Sequence, residues 1–93
     1  MYLSDADFGR RDEGLAGLVI TDQRVVYCKY HHRGQVRRDA ADATIVANPE
    51  GSFASLKLVA GKDRSRMGKI HRNQLDALVK EISRSEGLSV AIK

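Results

Sequence analysis

The sequence predicts a β-rich domain, all-β or α+β, in which antiparallel strands precede one C-terminal amphipathic helix. Three observations carry that reading. Residues 17–30 form two runs rich in Val, Ile, Thr and Tyr around the polar pair Asp22-Gln23, and branched and aromatic side chains suit a pleated, half-buried surface. Phe53–Ala60 alternates, with Ala54, Leu56, Leu58 and Ala60 on one face and Ser55 and Lys57 on the other. Leu75, Leu78, Val79 and Ile82 stand at i, i+3, i+4 and i+7, one apolar helix stripe.

Each element follows in order. Residues 1–13 read as a loosely held acidic arm, with a short strand or turn around Tyr2 and Leu3. Leu15–Thr21 reads as a strand and Arg24–His32 as the next, with residues 15–71 forming the antiparallel part. Arg33-Gly34 is a turn signal, and Gln35–Arg38 is a short strand at most. Asp39–Ala43 reads as a crossing with a brief helical turn, and Thr44–Ala47 as a strand. Asn48-Pro49-Glu50-Gly51 suits a type I turn. Gly61–Arg64 turns the chain again before a last strand, Ser65–His71. Asn73 is the expected helix cap, with Asp76 in the acid-favoured first turn. The helix spans 73–86, Gly87 ends it, and Leu88–Ile92 is an extended tail suited to a sheet edge.

The chain has 93 residues, one domain by length, and at that size a single core has little stability to spare. No apolar run approaches the ~20 residues of a spanning helix, and the first residues lack the basic and apolar regions of a secretory signal. A single cysteine, Cys28, excludes an internal disulfide and fits a reducing, cytoplasmic setting. The net charge is +4, unevenly spread. Residues 24–38 hold Arg24, Lys29, Arg33, Arg37 and Arg38 with no acid, and residues 57–72 hold six basic residues against Asp63. Side by side, these segments would make one anion-attracting face.

That face is the candidate site: Arg24, Lys29, Arg33, Arg37, Arg38, Arg64, Arg66 and Lys69. Such groups attract phosphates of lipids or nucleic acid, and Tyr27 and Tyr30 are candidates to stack on bases. Tyr30 shares strand parity with Val26 and Cys28, which predicts partial burial instead. Cys28, His31, His32 and His71 are metal-ligand types, but Cys28 and His31 have opposite parity, so no metal site is predicted. The bland alternative is a core Cys28 with histidines at a hairpin tip. Ser, Cys, His and acids occur in no nucleophile motif. Gly61-Lys62-Asp63-Arg64-Ser65 lacks the leading glycine and following helix of a phosphate loop. Neither catalytic residues nor a cofactor are predicted.

The early hairpin resembles that of small bacterial members of the pleckstrin-homology-like superfamily. Their Gly-x-x-x-x-Thr-x-x-Arg pattern stands here as Gly17, Thr21 and Arg24, one residue shorter before the threonine. The resemblance covers roughly residues 15–86, as an order of elements. It implies seven strands in two near-orthogonal sheets, closed at one end by the helix: a curled sheet or partly open barrel. Six strands are readable, so the first is missing or lies in residues 1–13. The family's phosphoinositide motif begins similarly at Lys29, but Arg37-Arg38 lacks the intervening residue, and lipid binding is not carried over. The resulting expectation is a non-enzymatic binding or assembly module for a protein partner or an anionic ligand, with self-association through an open edge. The alternative is a small basic nucleic-acid-binding protein.

Overall fold

The computed structural model describes residues 1–4, 17–29 and 32–93; most of the arm and the positions Tyr30 and His31 lie outside the described residues. Among the described residues, eight strands form two four-stranded sheets. The first sheet is an antiparallel meander of β1 (Tyr2–Ser4), β2 (Gly17–Ile20), β3 (Arg24–Lys29) and β4 (His32–Arg37). The second contains β5 (Ala43–Glu50), β6 (Phe53–Ala60), β7 (Asp63–His71) and β8 (Ser89–Ile92), in the order β7-β6-β5-β8. Helix α1 (Leu75–Ile82) lies between β7 and β8 in the chain. β7 approaches β2 and β3, but no ladder joins the sheets among the described residues, so they do not close into a barrel.

One core fills the space between the sheets. Leu18, Ile20, Val25, Tyr27 and Val36 enter it from the first sheet, and Ala43, Ile45, Ala47, Ala54, Leu56, Leu58, Met67 and Ile70 from the second. The helix stripe closes it as its spacing predicts: Leu75, Leu78 and Ile82 are buried and Val79 packs against them. The strand hidden in the arm is β1, paired with β2 through Tyr2 and Val19. The tail is β8, paired with β5 in parallel.

Several sequence expectations change. Arg33 and Gly34 are not a turn but lie inside β4, opposite Cys28 and Tyr27. The Tyr27 ring covers Gly34 so closely that a Cβ there would sit 2.3 Å from it; the glycine is the space the ring occupies. β3 also ends before His32, since Lys29 already pairs with His32. Its buried face is Val25 and Tyr27, while Val26 and Cys28 are half-buried on the other face, so Cys28 is not a core residue. Asn48, Pro49 and Glu50 continue β5, and the turn moves to Gly51-Ser52, flanked by the pair Glu50–Phe53. Gly61-Lys62 forms the matching turn before Asp63. Both glycines have φ of 63°, the left-handed conformation that two-residue hairpins require. The 39–43 crossing consists of two single turns, Ala40 N–H to Arg37 O and Ala43 N–H to Ala40 O, rather than a helical turn. Asn73 does not cap the helix: a 3-10 turn, Arg72–Gln74, leads into it and Gln74 occupies the cap position.

Candidate anion-binding face

The basic residues divide into three environments. On the outer face of the first sheet, Arg24 and Arg37 are direct cross-strand partners and Arg33 faces Cys28. Two of these charges are answered nearby. Arg24 Nη1 donates to Gln35 Oε1 at 2.9 Å, and Arg37 forks onto the Asp39 carboxylate at 2.9 and 3.0 Å. The hydrogen bond from Arg37 holds the Asp39 carboxyl below its ordinary range, and Asp39 in turn raises Arg37. Any stabilisation from this pair is present above the usual carboxylate range and fades as pH falls through the lowered value. Both partners are exposed, so it is slight. The Lys29 backbone ends β3 opposite His32; its side chain lies outside the description.

Arg38 is the exception among the predicted contacts. It is 9% exposed and its guanidinium is spent internally. Nη1 donates to Thr21 O at 2.8 Å and reaches Glu81 Oε1 at 3.4 Å; Nη2 donates to Glu81 O at 2.7 Å and Nε to Ser85 Oγ at 2.8 Å. A cation here also complements the carbonyl end of α1. Its backbone N–H donates to Gln23 O, and its carbonyl accepts from the N–H groups of Gly87 and Leu88. Arg38 is therefore a structural tie between the β2–β3 turn, the helix end and the approach to β8, and it leaves the anion-binding set. The turn it grips is organised by Thr21, whose Oγ1 accepts from Arg24 N–H at 3.1 Å.

Arg64, Arg66 and Lys69 lie together on the outer face of the second sheet. Regular alternation would put Lys69 on the face opposite Arg66. A bulge prevents this: the pairing steps from Leu56–Gly68 to Lys57–Arg66, and Met67 turns into the core. The inserted residue shifts the phase, so Lys69 pairs with Ser55 on the Arg66 side. Lys57 joins the group as the direct cross-strand neighbour of Arg66. It is exposed and was absent from the predicted set, although it belongs to the same basic segment. The adjoining β5 positions are Thr44, Val46 and Asn48, so no acid interrupts these rows. Among the described residues, Lys57, Arg64 and Arg66 have no hydrogen-bond or ion-pair partner.

The family models, the curated proteins and the solved structures contain no match to this chain.

The same face carries two rings at its end. Phe53 and His71 are cross-strand partners with centroids 5.6 Å apart and planes tilted by 43°. Tyr27, a candidate to stack on a base, is instead buried over Gly34. Elsewhere, an open cleft of about 310 Å³ lies between α1 and β8, lined by Val79, Ile82, Leu88 and Val90 together with Glu86. It gathers no pair of titratable side chains. No group of three His, Cys, Asp or Glu residues is placed to hold a metal among the described residues, and no described helix is long and apolar enough to cross a membrane. The two basic segments do not converge: one lies on the outer face of each sheet.

Proposed function

We propose that this chain is a non-enzymatic binding module of the pleckstrin-homology-like kind, which docks an acidic protein surface against the outer face of its second sheet. The observation that carries the reading is Lys57 directly opposite Arg66, beside Arg64 and Lys69, with no acid in the rows between. Like charges placed opposite one another on a sheet cost stability. A bound anionic partner converts that cost into affinity and specificity. Seven strands followed by a helix, in two sheets, support the family reading; β8, after the helix, is an addition to what the resemblance implies.

The Phe53–His71 pair beside the cations favours a second reading, single-stranded nucleic acid, where exposed rings stack on bases and cations follow the backbone. The two are separated by titrating the protein at ~150 mM salt, where charges beyond a Debye length of ~8 Å are screened. The probes are an oligoglutamate peptide, single-stranded RNA, duplex DNA and anionic vesicles. Docking of an acidic protein predicts binding to the peptide alone, abolished by Arg66→Glu. Tight binding to RNA that falls steeply with salt and is weakened by Phe53→Ala would promote the second reading.

A further inference from the structure

We infer that β8 is a dimerisation edge, and that its occupant is β8 of a second copy, antiparallel across a two-fold axis at Ala91. The inference starts from the backbone. Lys93 N–H donates to Ala47 O at 2.9 Å, so Lys93 and, by alternation, Ala91 and Ser89 turn their main-chain groups toward β5. The N–H and C=O of Val90 and Ile92 then point to the other side of β8, where no strand pairs among the described residues.

The sequence of each edge decides the partner. A two-fold pairing sets a strand against itself, so every charge meets its own kind. β4 would bring Arg33 and Arg37 together, and β7 would bring together Arg64, Arg66 and Lys69. Charged edge strands of this sort resist pairing. β1 has only three residues. β8, Ser89-Val90-Ala91-Ile92, carries no charge. With Val90 bonded to Ile92 of the second copy, Ala91 falls on the axis as a pair without main-chain hydrogen bonds, where side chains come closest. Alanine fits that spacing. Ile92, 56% exposed in the single chain, gains Val90 of the second copy as a cross-strand neighbour.

The product is one sheet ordered β7-β6-β5-β8-β8-β5-β6-β7. A two-fold axis perpendicular to it keeps both outer faces on one side. The two Arg66 rows then stand seven strand spacings apart, roughly 34 Å at ~4.8 Å each. The pairing does not depend on the docking reading; its consequence, one bipartite cationic surface for an extended acidic partner, rests on it and gains by avidity.

Sedimentation of the full chain from ~10 µM to ~1 mM spans the weak affinities of a short strand pairing. The expected result is a concentration-dependent rise toward the dimer mass, abolished by Ile92→Lys with an unchanged thermal midpoint. In a Cys28→Ser background, Ala91→Cys should crosslink on oxidation and Ser89→Cys should not, because only position 91 meets itself within disulfide reach. A monomer throughout the range, a dimer indifferent to Ile92→Lys, or equal crosslinking at both positions overturns the inference. Failure of the docking reading looks different: Arg66→Glu would leave oligoglutamate binding unchanged whatever the mass. If both hold, monomeric Ile92→Lys keeps single-site binding and loses only the gain on longer acidic peptides.

Discussion

Arg37 and Arg38 are neighbours of identical type, and their fates are opposite because the chain alternates. Arg37 faces solvent with Asp39, while Arg38, one step past the strand, turns inward to five acceptors supplied by Thr21, Gln23, Glu81 and Ser85. Truncating one member of such a buried network leaves carbonyls and a carboxylate without a donor. Arg38→Met keeps most of the apolar stem and removes the donors, so it should cost ~3 kcal/mol in urea unfolding, whereas Arg37→Met should be nearly silent. Gly87 is equally constrained: a Cβ there would lie 2.6 Å from Asp39 O. Gly87→Ala should therefore cost ~1–3 kcal/mol, as overpacking does. Neither role was legible in the sequence. An arginine beside an arginine reads as surface, and a glycine after a helix reads as a terminator; only the long-range approach of residues 38–41 to 87 distinguishes them.

At the scale of elements, periodicity was the reliable signal and turn chemistry the unreliable one. The α1 stripe and the β6 alternation were legible because burial selects side chains at a fixed period. Leu78 is fully buried, and Leu78→Ala should lower stability by ~2–5 kcal/mol, enough to unfold much of a domain this small. The Arg33-Gly34 signal misled because the glycine answers a ring across the sheet, not a bend in its own strand. Asn48-Pro49 misled because Gly51 supplies the conformation a two-residue hairpin needs, leaving the proline to finish β5. The bulge was invisible, since an inserted residue has no composition of its own. Its effect is testable: deleting Met67 joins Arg66 to Gly68 in a regular ladder and removes only a buried side chain, so it should cost ~2–5 kcal/mol in urea unfolding, as core truncation does, whereas Met67→Leu, which keeps volume, should cost less than ~1.5 kcal/mol.

For the whole molecule, the sequence made the β-rich class, the helix and the edge-seeking tail legible. It did not reveal how the two basic segments would be distributed, because that depends on which sheet each hairpin joins. In one segment Arg24, Arg37 and Arg38 are answered by Gln35, by Asp39 and by the end of α1; in the other, Lys57, Arg64 and Arg66 have no such partner among the described residues. If the second is kept for a partner, replacing it should improve the isolated protein. Arg66→Glu places opposite charges across Lys57 and should raise stability by ~0.2–1 kcal/mol while removing oligoglutamate binding. A loss of stability together with binding would mean that the cluster serves the fold.

The Arg38 tie has a consequence for how the molecule opens. Its carbonyl holds the N–H groups of Gly87 and Leu88, and its guanidinium holds the β2–β3 turn and the last turn of α1. Local opening in proteins proceeds by cooperative units, and these three regions share one residue. Their amides should exchange with deuterium at a common rate set by a single sub-global event, rather than fraying inward from residue 93. Arg38→Met keeps the carbonyl contacts and loses the guanidinium ones, so that event should split, with the amides of the last turn of α1 exchanging well before those of β3.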